Sequence, residues 1–201
     1  MKKKAVFIGN SIVAGYPWSR SKSFVSLLRR EPDFNIINKG VNGDTTAGIL
    51  ARFPEDVISA APDAVFIMSG TNDFVYRDAT PQEAFGNLEK MARMCREAGA
   101  EPVFITPLPV DTTMAESMWL VGMGVSYAAV NRDLETLSQL IRDSGEAFVD
   151  MNRRFAEYRD SVGDPELVYV DGLHPMPEGH SFIAGCVKKF MEEHFLADKK
   201  G

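Results

Sequence analysis

The sequence predicts an α/β fold: a three-layer α/β/α sandwich on a five-stranded parallel sheet in the order 2-1-3-4-5. Three observations lead there. Short apolar runs alternate with amphipathic helical stretches, the pattern of parallel strands joined by crossover helices. No repeat, low-complexity tract or Pro/Gly-rich linker divides the 201 residues, so one domain over residues 1–201 is expected. The runs Ala5-Val6-Phe7-Ile8 and Ala64-Val65-Phe66-Ile67-Met68 hold no polar residue. Strands buried on both faces look like this, so these two belong at the centre of the sheet.

The elements follow in order. Residues 4–8 form the first strand and stop abruptly at Gly9. Residues 22–30 form a helix with Phe24, Leu27 and Leu28 on one face, ended by Glu31-Pro32-Asp33. Residues 34–38 form a second, more polar strand, placed towards an edge. Gly40-Val41-Asn42-Gly43-Asp44-Thr45-Thr46 is a loop that turns into a helix, with Asp44 or Thr45 able to cap it. The third strand, residues 64–68, runs into Ser69-Gly70-Thr71-Asn72-Asp73. Thr80-Pro81-Gln82-Glu83 is a capping box with proline at the first helical position, opening a helix through about residue 98. Residues 103–106 form the fourth strand. Residues 110–124 fit no clear period. A helix over 127–142 and a fifth strand over 147–150 follow. Phe155 and Tyr158 suggest a short helix. The cluster Asp171-Gly172-Leu173-His174-Pro175 leads into a last helix over 177–195. Crossovers between parallel strands are expected to be right-handed.

The formal charge of −6 argues against a nucleic-acid binder, which would carry a basic face. The two cysteines, Cys95 and Cys186, sit in helical patterns without metal spacing and read as buried thiols in a reducing compartment. Lys2-Lys3-Lys4 before a short apolar run imitates a signal peptide, but the run is too short and no small-residue cleavage site follows. No stretch approaches the ~18–20 apolar residues of a membrane span. A cytoplasmic address is expected.

Three strand ends now carry polar groups to one edge of the sheet, where open α/β sheets bind ligands: Ser11, the Asn42-Gly43 loop and Asn72. Asp171 and His174 lie in a fourth segment able to reach that edge. A serine hydroxyl is a weak nucleophile until a base takes its proton. An imidazole can be that base near neutral pH, and a carboxylate on its other nitrogen fixes the tautomer. The Ser11 and Gly43 N–H groups and the Asn72 amide would supply oxyanion donors. The rival histidines fit less well: His180 lies in the last helix and His194 near the chain end.

The four blocks Gly9-Asn10-Ser11-Ile12, Gly40-Val41-Asn42-Gly43-Asp44, Gly70-Thr71-Asn72-Asp73 and Asp171-Gly172-Leu173-His174-Pro175 resemble those of the SGNH hydrolases, also called the GDSL family of esterases and lipases. The likeness spans Phe7 to about His180, with the blocks in the family's order. It implies a flavodoxin-like sandwich and no cofactor. It makes Ser11 the nucleophile, Gly43 and Asn72 oxyanion donors, His174 the base and Asp171 its orienter. The expected activity is hydrolysis of a small-molecule acyl ester (carboxylester, lysophospholipid or thioester) through an acyl-enzyme on Ser11. The rival readings are a carbohydrate O-deacetylase of the same family and a non-catalytic acyl- or glycan-binding relative.

One departure stands beside the nucleophile. The family usually has aspartate where this chain has Asn10, and leucine where it has Ile12. Asn10, Asp44 and Asp73 read as supporting residues that organise loops. The apolar patch with Met114, Met118, Trp119 and Met123 reads as core, as a homodimer contact or as a flexible acyl pocket. Tyr16-Pro17-Trp18 reads as a second wall or as packing on the first helix, with Trp18 in the pocket set. No metal site is expected: the three histidines include no His-x-x-x-His pair and the cysteines are far apart. No Walker or GxGxxG sequence follows the first strand.

Overall fold

The computed structural model describes residues 2–119 and 124–197. Its strands are β1 (Lys3–Gly9), β2 (Phe34–Gly40), β3 (Ala64–Met68), β4 (Glu101–Ile105) and β5 (Ala147–Val149). Its α-helices are α1 (Ser11–Ala14), α2 (Phe24–Leu28), α3 (Thr46–Asp56), α4 (Thr71–Tyr76), α5 (Pro81–Glu97), α6 (Thr112–Met118), α7 (Tyr127–Asp143), α8 (Met151–Val162) and α9 (Pro177–Phe195). The sheet runs β2-β1-β3-β4-β5 with every pairing parallel, as the apolarity of β1 and β3 predicts.

Successive side chains on a strand point to opposite faces, and β1 divides its residues accordingly. Ala5 and Phe7 enter one core with α2, α8 and α9. Val6 and Ile8 enter the other with α3, α5 and α7. Phe7 is paired in register with Phe66 of β3, and their rings stack at 4.4 Å. Both are fully buried. Truncating either to alanine would cost about 3–5 kcal/mol.

Local chemistry sets the helix boundaries. The helix expected over 22–30 is divided, because Ser23 accepts the Ser26 N–H at 3.2 Å and caps α2 there. A separate 3₁₀ turn, Arg20–Lys22, precedes it. Thr45, not Asp44, caps α3 through the Gly48 N–H at 3.2 Å. The Thr80–Glu83 capping box opens α5, with both reciprocal bonds formed. Asp150 caps α8, which is longer than expected and ends at Gly163. Asp111 caps α6 inside the stretch that showed no period. Cys95 is buried, and burial pushes its thiol up to about 12. Cys186 is only partly buried, which corrects its reading as a buried thiol. It lies on the α9 flank that packs against the edge of its core rather than inside it. Among the described residues, no helix is long and apolar enough to cross a membrane.

Candidate active site

β1 ends at Gly9, level with Gly40 of β2 and Met68 of β3. The chain segments that leave the sheet beyond this line build the site. The first is α1, too short to be stable alone and therefore held at both ends. Asn10 supplies the N-cap, its Oδ1 accepting the Ile12 N–H at 3.1 Å. At the other end the Gly15 N–H donates to Ser11 O at 2.8 Å, and Asn38 of β2 donates its Nδ2–H to Val13 O at 2.8 Å. Ser11 is thereby fixed in the first turn, with its N–H among those that have no acceptor within the helix.

Ser11 Oγ lies 2.9 Å from His174 Nε2. His174 Nδ1 lies 2.7 Å from Asp171 Oδ2. The other carboxylate oxygen, Oδ1, accepts the Leu173 and His174 backbone N–H groups at 3.0 and 2.8 Å. Because Asp171 accepts at Nδ1, the imidazole keeps that proton and leaves Nε2 free to accept from the serine. Burial works to raise the Asp171 carboxyl. The hydrogen bond and charge of His174, with the two backbone donors, outweigh it and hold the carboxyl below its ordinary value. All three side chains are nearly enclosed.

The Asp171–His174 turn is clamped from outside. Val170 N–H donates to His174 O at 2.9 Å and Asp111 N–H to Gly172 O at 2.9 Å. Tyr169 Oη donates to Pro109 O at 2.7 Å. Gly172 admits no side chain, since a Cβ there would lie 2.5 Å from Ala115 N of α6. Tyr16 packs edge-on to the His174 ring, with centroids 4.7 Å apart.

Gly43 and Asn72 arrive from β2 and β3. Gly43 has φ +77°, a left-handed conformation that glycine adopts without strain. Asn72 Nδ2 donates to Asp44 O at 2.9 Å, and the amide's second hydrogen stays available. Asp73, almost fully buried, accepts the Thr46 N–H at 3.1 and 3.0 Å and also the Thr46 hydroxyl. Burial raises its carboxyl above the ordinary value despite those bonds. Asp44 pairs with Arg52 at 2.7 Å. Asp44 and Asp73 thus tie the loop after β2 to α3 and α4.

Ser11, Gly43, Asn72 and His174 share one cavity of about 290 Å³. Its remaining walls are largely apolar: Tyr16, Val75, Tyr76, Trp119, Tyr127 and Leu173, with Asn42 at the loop. Of the residues proposed from sequence for the pocket, Trp119 lines it. Trp18 does not, since its Nε1–H donates to Pro175 O at 3.0 Å and its ring lines a neighbouring groove with Arg20 and Val41. Met114 and Met118 do not either. They are four apart on α6 and share a face that turns from the cavity: Met114 packs on the core and Met118 stands exposed. Trp119 follows the last turn of α6 and points the other way. Met123 lies outside the described residues.

The other two histidines lie elsewhere. His180 is buried and stacks on Phe24, its Nδ1 accepting the Phe24 N–H at 3.4 Å. Burial, then the charge of His174, lowers it to about 4. His194 bonds Glu101. Sequence reasoning missed Val75, Tyr76, Tyr127 and Leu173 as cavity walls. The first two had a signal: in a helix, positions three and four after Asn72 share its face.

Residues 7–182 match the sequence model of the GDSL-like lipase/acylhydrolase family. The chain is 28% identical over 207 residues to an arylesterase of Vibrio mimicus, covering 96% of this chain and 90% of that one. It is 25% identical over 190 residues to thioesterase 1/protease 1/lysophospholipase L1 of Escherichia coli (strain K12), covering 93% and 82%. Among solved structures, a lipase/acylhydrolase from Enterococcus faecalis superimposes with a TM-score of 0.74 at 25% identity, covering 96% of each chain.

Proposed function

The chain belongs to the GDSL-like lipase/acylhydrolase family and hydrolyses ester bonds, and on that premise we propose that Ser11 is its nucleophile, His174 its general base and Asp171 the orienter of that base. The observation that carries the reading is the unbroken relay from Ser11 Oγ through His174 to Asp171, with links of 2.9 and 2.7 Å. Both lie within the reach that proton transfer needs.

Ser11 Oγ attacks the ester carbonyl while His174 Nε2 takes its proton. The carbonyl oxygen gains charge as the tetrahedral intermediate forms. The Ser11 N–H, the Gly43 N–H and the free Asn72 amide hydrogen receive that charge. They are fixed before reaction, so no reorganisation is needed when it appears. His174 returns the proton to the leaving alcohol or thiol. Water then attacks the acyl carbonyl as the same imidazole takes its proton, and the imidazolium returns that proton to Ser11 Oγ as the acid leaves. Asp171 stays ionised throughout and steadies the imidazolium.

The cavity supports a small or medium uncharged acyl or aryl group. At about 290 Å³ it is at the low end of ligand pockets, which run roughly 300–1,000 Å³. Apart from His174, its walls among the described residues carry no ionisable side chain other than tyrosine. The test is Ser11→Ala assayed with p-nitrophenyl esters of increasing chain length. The variant should fold and lose nearly all turnover, and a phosphonate ester should add one label to the wild type and none to the variant. Full turnover by Ser11→Ala would overturn the reading.

A further inference from the structure

The three proposed oxyanion donors sit on three different segments of chain. Ser11 follows β1, Gly43 follows β2 and Asn72 opens α4 after β3. A donor site works only if such groups are held within about 0.5 Å of the productive geometry. One side chain bonds to the segments that carry two of these donors and, through Asp44, touches the support of the third. Arg52 of α3 donates from Nη2 to Gly9 O at 3.2 Å, two residues before Ser11. It donates from Nε to Asp44 Oδ2 at 2.7 Å, one residue after Gly43. Asp44 O in turn accepts from Asn72 Nδ2 at 2.9 Å.

Two further features point the same way. Nη1 of Arg52 donates to Asp56 Oδ2 at 2.7 Å, and Asp56 is gripped from its other oxygen by Lys39 at 2.7 Å. The guanidinium is therefore held on each side rather than swinging from its stem. Residue 48 is glycine, and a Cβ there would lie 2.1 Å from Asp44 Oδ1. Helix α3 thus leaves at that position the room the Asp44 carboxylate needs. Gly9 O also accepts the Val41 N–H at 3.0 Å, so the ends of β1 and β2 meet at the same oxygen that Arg52 reaches.

We propose that Arg52 is a positioning residue for ester hydrolysis: it sets the mutual placement of the Ser11 N–H, the Gly43 N–H and the Asn72 amide by bonding Gly9 O and Asp44 together. The inference rests on the oxyanion reading above. It needs arginine in particular. A planar fork with five donors spans three acceptors at once, whereas a lysine ammonium is a point charge that cannot reproduce the fork.

The test separates positioning from plain stability. Arg52→Met and Arg52→Lys are assayed with p-nitrophenyl acetate, alongside Ser11→Ala as the inactive reference. Arg52→Met should lower kcat by about 10- to 100-fold with KM changed less than about twofold, because misplaced oxyanion donors cost transition-state binding more than ground-state binding. Arg52→Lys should recover part of kcat. In an Asn72→Ala background the Arg52→Met loss should shrink severalfold, since one of the groups it positions is already gone. If Arg52→Met does not fold, Asp44→Asn replaces it with the same kcat-selective loss expected. An unchanged kcat with a lowered unfolding midpoint, or a full and additive loss beside Asn72→Ala, overturns the proposal. An unchanged kcat in Asn72→Ala alone overturns the oxyanion reading instead, and retained activity in Ser11→Ala overturns the nucleophile, so the failures are told apart.

Discussion

Replacing Asp171 with asparagine probes the relay at its least visible link. The carboxylate serves two clients. Oδ1 accepts the Leu173 and His174 backbone N–H groups at 3.0 and 2.8 Å, and Oδ2 accepts His174 Nδ1–H at 2.7 Å. An asparagine has one carbonyl oxygen and cannot serve both. Turning that oxygen to the backbone keeps two hydrogen bonds and sets the NH₂ against Nδ1. The imidazole must then accept at Nδ1, and its proton moves to Nε2. Nε2–H faces Ser11 Oγ as a donor and can no longer take the hydroxyl proton. Holding the wrong tautomer in a Ser-His-Asp triad lowers kcat by about 10⁴, equivalent to about 5 kcal/mol of activation free energy. The retained backbone bonds should limit the loss of stability to about 2 kcal/mol or less. The assay is kcat on a saturating p-nitrophenyl ester, paired with a urea unfolding curve at the same pH. A variant that folds and keeps a tenth or more of the wild-type kcat would refute the tautomer argument and remove Asp171 from the relay.

Two further outcomes follow from the same geometry. Asn72→Ala should lower kcat by about 100- to 1000-fold while KM stays near the wild-type value, because an oxyanion donor acts mainly in the transition state; a change in KM alone would speak against that role. His180 makes stability depend on pH. Its folded value of about 4 lies below the ordinary 6.5, so between those values the unfolded chain binds a proton that the folded one does not. The stabilisation is therefore complete above pH 6.5 and is lost progressively as pH falls towards 4. Between pH 8 and pH 5 the loss is about 2 kcal/mol. His180→Asn keeps an acceptor for the Phe24 N–H and cannot titrate, so urea curves at the two pH values should show the gap between wild type and variant shifting by about that amount. An equal gap at both pH values would count against it.

The architecture was legible because its strongest signals are non-local in effect and simple in composition. β1 and β3 are free of polar residues in their central runs, and burial on both faces leaves such strands little choice but the middle of the sheet. Long helices such as α5, α7 and α9 announce themselves by period, and α5 by its capping box as well. Three helices escaped notice: α6 is seven residues long, and α1 and α4 are only four and six. A period of 3.6 cannot show itself over one turn. Their existence depends on tertiary partners, Asn38 on Val13 O and Asp73 on Thr46, that no local pattern reveals. Missing α4 had a further cost. Tyr76 and Val75 line the cavity because α4 puts them on the face of Asn72, and a sequence reading with no helix after the third strand gives no reason to look there. The methionines misled for the opposite reason. A patch of apolar residues near a site looks like a pocket wall, yet a helix has two sides, and only the end of α6 turns Trp119 inward.

Asn10 is a position whose role the tertiary contacts decide. In the sequence, Asn10 stands where the family usually has a carboxylate and reads as a residue that organises its loop. In the fold, Asn10 Oδ1 accepts the Ile12 N–H at 3.1 Å and so caps α1. Asparagine and aspartate are about equal in that role. The rest of the organisation around Ser11 comes from elsewhere, from Gly15 at the helix end, from Asn38 on Val13 O, and from the strand end at Gly9 whose carbonyl accepts from Val41 and Arg52. The placement of Ser11, the proposed nucleophile, is therefore spread over contacts that do not require a charge at position 10. What a carboxylate there would add is a negative charge beside a serine whose proposed reaction places negative charge on a neighbouring oxyanion. A neutral cap holds the same turn without opposing that charge.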